Sequence, residues 1–456
     1  MNSKSLNQKK IRDSFQMDCL RLLSDGSGIG YQEGLATFVP RLLPGETGLV
    51  EVIESKKKFQ RARLLTVIRH SPERVDPPCH VFEECGGCQL QHMTYTETLK
   101  WKQRWVEDAL LRIGKLNIPV RPTIGMAAPW RYRNKVRLHR DQTGQLGYFK
   151  EKSRVLVRFQ DCLLLSERMN RWIRRTEEFL TGKDGQGQGG TSTESLSQEL
   201  AEIHTLTFRE NTQQEGLLLL EGGNYPAVAA EVKNNPGFLN ALAKDRLRSI
   251  WWADSQGDLK LVWGDETFCH TILGNSFKVT PLSFLQVNSL QTEILYELVR
   301  TAAELSGEEQ VWDLYTGIGT LALTLAPNAK KVLGIEENPF AVQDARINAA
   351  NHGNSAKVDF LVGKVEDVMI SSEDKPDVVI LDPPRAGMHP NVIKRLLEIE
   401  PKRIVYVSCD PGTLARDLGI LAAGKYRVES VQSVDMFPWT GHVETVVLLQ
   451  RKHTTI

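Results

Sequence analysis

Hydrophobic and polar positions alternate in three different ways along the chain, and each predicts a different architecture. Over residues 12–67 the apolar runs are short: Met17-Asp18-Cys19-Leu20, Ala36-Thr37-Phe38-Val39, Gly48 to Ile53, and Ala62-Arg63-Leu64-Leu65. Turn signals part them at Asp25-Gly26-Ser27-Gly28, Leu43-Pro44-Gly45-Glu46 and Lys56-Lys57-Lys58. Runs at this spacing predict about five short strands, enough for a small closed barrel of the oligonucleotide-binding type. Residues 120 to about 280 carry further strand-like runs at Thr205–Arg209, Gly216–Glu221, Ser249–Ala253 and Leu259–Trp263, around a Gly/Ser/Thr-rich stretch at 181–196 that reads as a surface loop. From about residue 285, strand patterns alternate with helical ones. The strands are expected at Gln310–Leu314, Lys331–Ile335, Val358–Val362, Asp377–Leu381 and Arg403–Val407, with a closing pair at Val428–Ser433 and Glu444–Gln450. Such alternation builds a parallel sheet with helices on both faces. The predicted division is a barrel at 1–68, a β-rich central domain at 69–284 and an α/β domain at 285–456.

Composition fits this picture. A chain of 456 residues, 41% hydrophobic and 25% charged, is globular and too long for one core. No apolar run reaches the length of a membrane span and the first residues are polar, so a cytoplasmic protein is expected. The net charge of +1 conceals an asymmetry. Residues 1–160 hold 28 Lys+Arg against 16 Asp+Glu, a net of +12, which leaves the rest at −11. A basic N-terminal third points to a polyanion, most simply nucleic acid, or else to a solvated basic face with no partner. Trp130 to Arg140 carries five Lys/Arg, two aromatics and no acid, a pattern suited to phosphate contacts and base stacking, or else to a basic edge strand.

The seven cysteines are expected as thiols rather than disulfides. Cys79, Cys85 and Cys88 fall within ten residues, with Gly86-Gly87 between the last two. Three soft ligands at this spacing want a metal, and Cys162 supplies a fourth; four thiolates suit zinc or an iron–sulfur cluster. Helical spacing over Trp101–Leu116 predicts a helix packed on this segment. Cys19 and Cys269 have no thiol neighbours in sequence and read as core.

Chemistry concentrates at the carboxyl ends of the C-terminal strands, where ligands bind in open α/β sheets. Gly317 and Gly319 follow the first strand, but Leu321 and Ala322 stand where a dinucleotide fingerprint would have its third glycine. Glu336 ends the second strand, placed to accept ribose hydroxyls. Together these predict a nucleoside without a diphosphate, S-adenosylmethionine. Asp382-Pro383-Pro384 ends the fourth strand, a motif shared with amino-methylating enzymes. Cys409 follows the fifth strand, in a Pro-Gly break just before a helix expected from Thr413 onward, where a thiol is biased towards thiolate. A thiolate that adds to carbon 6 of a pyrimidine makes carbon 5 nucleophilic, and a base must then remove the carbon 5 proton. Amino-group methylation needs no thiol. Glu444, beside His442 at the apolar start of the last strand, is the base candidate.

Several segments carry a resemblance. GSGIGYQEGLATFVPRLLPGETGLVEV resembles the TRAM domain, an RNA-binding barrel. LDPPRAG, VYVSCDPGTLARDL, FLQVN, DLYTGIG and HVETVVLL are together similar to the RNA uracil-5-methyltransferase family, and the likeness spans nearly the whole chain. It implies a Rossmann-like class I methyltransferase domain behind the central domain and barrel, acting as a monomer on RNA. By position it implies Cys409 as nucleophile, Glu444 as base, and Gln286, Tyr315, Glu336 and Asp382 as contacts to S-adenosylmethionine. Cys79, Cys85, Cys88 and Cys162 resemble the ligands of the [4Fe–4S] cluster of members acting on 23S ribosomal RNA. One departure is Lys364, where members tend to carry Asp or Asn for the adenine; Asp367 or backbone is left for that contact. The competing expectations are the same reaction on transfer RNA, amino-group methylation through Asp382, and RNA binding without catalysis.

Overall fold

The computed structural model describes residues 14–151, 153–182, 198–371 and 374–452. The polar stretch before Ser14 and nearly all of the Gly/Ser/Thr-rich stretch lie outside them.

Six N-terminal strands, Ser14–Asp18, Arg21–Leu22, Ser27–Gln32, Leu35–Pro40, Thr47–Ser55 and Phe59–Arg69, form one sheet in the spatial order first, fifth, sixth, fourth, third, second. The sheet curls around Met17, Cys19, Val39, Leu42, Val50 and Ala62. The strand at Ser27 departs from the expected turn. Its glycines serve close packing instead: a Cβ on Gly28 would lie 2.2 Å from the Leu42 carbonyl oxygen, and one on Gly30 2.4 Å from that of Asp18.

The central region is a seven-stranded sheet in the spatial order Leu156–Val157, Leu146–Phe149, Lys135–Arg140, Ile203–Glu210, Gly216–Gly222, Leu247–Ala253, Leu259–Gly264. Helices Glu167–Leu180, Tyr225–Lys233 and Pro236–Lys244 pack on one face, where Leu218 and Leu220 join Trp172, Phe208 and Phe238. Leu217 and Leu219, on the other face, belong to the core of the C-terminal domain. Both faces of that strand are covered, which is why its sequence reads as an unbroken apolar run.

The C-terminal sheet has eight strands, in the order Val358–Val362, Lys331–Glu336, Gln310–Leu314, Val378–Leu381, Arg403–Ser408, Glu444–Arg451, Tyr426–Val434, Arg121–Ile124. The first five are parallel, Glu444–Arg451 runs antiparallel between Arg403–Ser408 and Tyr426–Val434, and Arg121–Ile124 enters from the N-terminal half. The mixed α/β methyltransferase architecture is thus as expected. Helix Tyr95–Ala109 begins six residues before the expected start and continues as a π-turn, Leu110–Gly114. Its packing differs from expectation. Val106 and Leu110 sit in the C-terminal core with Leu414 and Leu418, and Trp101 packs with Leu22, Leu43, Leu90 and Met93. Its apolar stripe is longer than the cysteine segment can cover, so the helix joins the N-terminal sheet to the C-terminal one. Among the described residues no helix is long and apolar enough to cross a membrane.

Candidate active site

The carboxyl ends of Gln310–Leu314 and Val378–Leu381 lie side by side, with the chain winding outward from them in opposite directions. Such a switch point opens a crevice for a ligand. The turn after the first strand is held from beneath. Asp313 Oδ2 accepts from Thr316 Oγ1 (2.5 Å) and from the Ala322 amide (3.0 Å). Tyr315, Gly317 and Gly319 all take positive φ, at 66°, 57° and 80°. A Cβ on Gly319 would meet the Phe360 ring at 2.7 Å, whereas one on Gly317 would meet nothing within 4 Å, so the turn is open towards the crevice. Glu336 closes the other side, its Oε2 accepting from the Gly317 amide (3.1 Å) and its Oε1 from the Asn338 amide (2.9 Å). Gln286 is buried just before helix Ser289–Ala303, and Tyr296 of that helix hydrogen-bonds Thr320 at 2.6 Å. Lys364 is exposed, and its carbonyl accepts from the Asp367 and Val368 amides.

Antiparallel register brings the last two predicted residues together. Ser408 pairs with Thr445, so the chain leaves the sheet at Cys409 directly beside Glu444. Glu444 is 2% exposed and its Oε2 has no hydrogen-bond partner. Burial, then the negative charge of Asp382, push its carboxyl up to about 8, against the pull of Arg385. Asp382 is raised to about 7 by burial and by Asp313, itself raised to about 7 by burial. A thiolate-biased Cys409 is not what this environment gives. Burial, then Glu444 and Asp382, raise the thiol to about 11, while Arg385 and its own backbone pull it down. The helix Pro411–Ala423 does not help as expected, because its N-terminus is already capped: Asp410 Oδ1 accepts from the Thr413 amide at 2.9 Å. Arg385, the cation that acts on both Glu444 and Cys409, follows the diproline and lies 3.4 Å from His442 Nε2. Burial, then Arg385, lower His442 to about 4, which keeps the imidazole neutral. Asp313, Arg385 and Asp410 are the residues that the sequence reading passed over; the signal for Arg385 was a cation set directly in an acidic crevice motif.

Cys79, Cys85, Cys88 and Cys162 line one small cavity with Phe82, Arg133, Tyr148 and Phe159. Burial raises Cys88 to about 12 and Cys162 to about 11. Three polar atoms there are buried without partners, Gln91 Oε1, Arg133 Nε and Tyr148 Oη. No group of three or more His, Cys, Asp or Glu side chains among the described residues is arranged to hold a metal ion. Cys19 sits in the N-terminal core, its Sγ 3.4 Å from the Arg21 carbonyl oxygen, and Cys269 is half-buried in the hairpin Cys269–Ile272/Asn275–Lys278.

The basic run Trp130–Arg140 is not the open cationic surface it was expected to be. Arg131 makes a two-pronged pair with Asp161 (2.6 and 2.8 Å) and reaches the Cys162 and Leu165 carbonyls. Arg133 turns towards the cysteine cavity, and Arg137 pairs with Glu221 at 2.9 Å. Two grooves meet instead at Gln89, Glu151, Arg385 and His442. One runs past Arg137, His139, Phe149, Lys150 and Arg154. The other passes Cys409 and continues to Trp105, Ile113, Ile29 and Tyr31 on the curled sheet.

Comparison with known proteins agrees with this layout. Residues 274–452 match the family model described as tRNA (uracil-5-)-methyltransferase. A protein of Halalkalibacterium halodurans, described as an uncharacterized RNA methyltransferase, is 39% identical over 95% of this chain and 96% of its own length. A Listeria innocua protein with the same description is 37% identical over 97% of this chain and 99% of its own. Among solved structures, the tRNA (uracil-54, C5)-methyltransferase of Pyrococcus abyssi, in complex with S-adenosyl-L-homocysteine, matches with a TM-score of 0.73 and 29% identity, over 95% of this chain and all of that one. With a crevice of this geometry and relatives along its full length, the chain is an enzyme of the RNA uracil-5-methyltransferase family.

Proposed function

We propose that the enzyme transfers a methyl group from S-adenosylmethionine to carbon 5 of a uridine in RNA, through a covalent adduct on Cys409. The observation that carries this reading is the juxtaposition of the Cys409 thiol with a buried, unpartnered carboxyl, Glu444, at the ends of paired strands. The Cys409 thiol, its proton released to solvent in the groove, adds as thiolate to carbon 6 of the uracil: the sulfur lone pair forms the C–S bond and the 5,6 π pair shifts into an enolate across carbon 5 and the carbon 4 carbonyl. After carbon 5 has been methylated, Glu444 takes the carbon 5 proton, and the electrons of that C–H bond re-form the 5,6 double bond and expel the thiolate. Arg385, which lowers both groups, favours the charged state of each. Bound S-adenosylmethionine supplies the methyl group as a sulfonium. Glu336, Tyr315, Asp382 and Gln286 would hold it, and the space over Gly317 together with the acids of the crevice suits a cationic nucleoside.

The cysteine cavity is read as the site of a [4Fe–4S] cluster, which the four thiols of Cys79, Cys85, Cys88 and Cys162, lining one small space from two segments, would hold. The unpartnered Arg133 Nε and Tyr148 Oη suit a cluster whose thiolates carry net negative charge. Chain order supports three functional units, the curled N-terminal sheet as a TRAM-like RNA-binding barrel over residues 1–68, the cluster-bearing centre over 69–284 and the catalytic domain over 285–456, with Arg121–Ile124 lent from the centre to the C-terminal sheet. RNA would enter where the two grooves meet, phosphates along the cationic one and bases along the apolar one.

Ribosomal RNA is the proposed target, on the resemblance of the cysteine set to members that act on it. A second reading, transfer RNA, is favoured by the full-length match to the Pyrococcus enzyme. Mapping 5-methyluridine in both RNAs from a deletion strain decides between them: loss of a 23S site supports the first, loss of a transfer RNA site the second, and loss from neither sinks both.

A further inference from the structure

The stretch Asp435–Val443, which leads into Glu444, is held by groups from outside the sheet that it serves. The Met436 carbonyl accepts from Asn288 Nδ2 (3.1 Å), that of Phe437 from Lys102 Nζ (2.9 Å) and that of Pro438 from Tyr132 Oη (3.1 Å). The Trp439 carbonyl accepts from two amides, Gln89 and Leu90, each at 3.0 Å. Lys102 and Asp435 also form a fully buried ion pair at 2.5 Å, with Tyr95 Oη donating to the second carboxylate oxygen at 2.8 Å. All four successive carbonyls thus take donors from outside the C-terminal sheet, that of Phe437 in addition to the Thr440 amide (3.2 Å) and hydroxyl (2.8 Å). A buried carbonyl without a partner is costly, so these donors fix the path of the stretch.

Gln89 stands out among them because its side chain grips both ends. Its Nε2 donates to the Gly86 carbonyl at 3.0 Å, inside the cysteine loop. Its Oε1 accepts from the Gly441 amide at 3.2 Å, three residues before Glu444. Gly441 has no freedom to move towards its other neighbour, since a Cβ there would lie 1.5 Å from the Ser24 carbonyl oxygen. Gln89 also lines both grooves where they meet. Glu444 is buried and has no hydrogen bond at Oε2, so the direction of that oxygen depends on packing and on where the backbone sets the side chain.

We infer that Gln89 is a positioning residue for the proton-abstraction step: it couples the cysteine loop to the strand that carries Glu444 and sets the direction of the Glu444 carboxyl. The inference rests on the reading of Glu444 as base. A displacement of the carboxyl slows proton removal, which follows addition and methyl transfer, so loss of the Gln89 contact leaves RNA joined to Cys409. The test uses the full-length enzyme with its bound metal, S-adenosylmethionine and a uridine RNA substrate. Gln89→Met keeps the length but offers Gly441 no oxygen acceptor, whereas Gln89→Glu keeps the acceptor. Gln89→Met should lower kcat about tenfold, the scale of one lost positioning hydrogen bond, and accumulate a methylated protein–RNA band. The KM for the cofactor, metal content and melting temperature should stay at wild-type values. Gln89→Glu should recover most of kcat and show no band. Wild-type turnover in Gln89→Met overturns the inference. So does a loss of turnover that comes with lost metal or lowered melting temperature and no band, since that is a structural effect alone. Glu444→Gln is run beside it: a band there with none in Gln89→Met overturns the role of Gln89 only, whereas no band in Glu444→Gln removes the base reading on which the inference stands.

Discussion

Two of the regions that bury thiols carry candidate chemistry, and burial acts on both in the same way. It raises Cys409 and Cys162 to about 11 and Cys88 to about 12. Their surroundings differ. Beside Cys409 stand the raised carboxyls of Glu444 and Asp382, with Arg385 across from them, in a crevice open to a groove. A thiol among groups that titrate near neutrality is set for proton traffic. Around the four-cysteine cavity no Asp or Glu lines the wall; the polar lining includes Arg133 and Tyr148, with buried atoms awaiting a partner. Thiols beside an unpaired cation suit a bound group that keeps them deprotonated. The same element thus takes two jobs, decided by what the fold places around it, and burial alone would not have told them apart.

The comparison breaks most visibly at Cys409. Cys409→Ala should drop methyl transfer by about 10⁴-fold or more, the scale of losing a nucleophile. RNA affinity should be kept, and 5-fluorouridine RNA, which traps the wild-type adduct because fluorine does not leave as a proton, should give no shifted band. Near-normal methylation in this variant would return the amino-group route through Asp382 to the lead.

The cavity should fail in a different way. Protein purified without oxygen should be brown and contain iron, and Cys85→Ser should lose the iron and melt on the order of 5 °C lower, because metal binding is coupled to folding. Stoichiometric zinc with no iron would place the cavity in another class.

A smaller effect follows from Glu444. Its carboxyl is raised from 4.5 to about 8 in the folded protein. Between those values the folded state holds a proton that the unfolded state releases, so stability is full below about 4.5 and falls by about 1.4 kcal/mol per pH unit until about 8. Glu444→Gln removes this loss. Its melting temperature should exceed that of wild type at alkaline pH, by an amount that grows as pH rises towards 8, and match it near pH 4.5. Equal melting at both extremes would mean that the carboxyl is ionised and solvated in the fold.

The smallest effect concerns the cationic groove. Neutralising Lys150 and Arg154 together should lower the slope of log affinity against log salt by about one per cation, with cofactor binding unchanged. Replacing Arg131 should instead disturb the cysteine segment, because its guanidinium is spent on Asp161 and on the carbonyls of Cys162 and Leu165. A reversed outcome would put RNA on the Arg131 side.

Much of the fold was legible because period and punctuation are local properties. All seven strands expected in the C-terminal domain are present, shifted by no more than two residues at either end. Asp382, Cys409 and Glu444 could be placed from sequence because each sits where a strand ends or begins, and strand ends at a sheet's carboxyl edge are where ligands bind. Chemistry that depends on residue type was also legible: a thiol followed by Pro-Gly, an acid opening an apolar strand, three cysteines around two glycines. What the sequence did not decide is what each side chain meets. Gly28 and Gly30 look like turn residues in a string and act as room for Leu42 and Asp18 in space. Arg131, Arg133 and Arg137 look like one cationic stripe, yet Arg131 pairs with Asp161 and Arg137 with Glu221, while Arg133 turns into the cysteine cavity. The state of the Cys409 thiol reverses the sequence expectation, because Asp410 already caps the helix and two carboxyls from other strands crowd the sulfur. Electrostatics and packing fall off with distance in space and not along the chain, so residue types and strand ends were fixed by the sequence alone, while partners and protonation were decided only when the chain closed on itself.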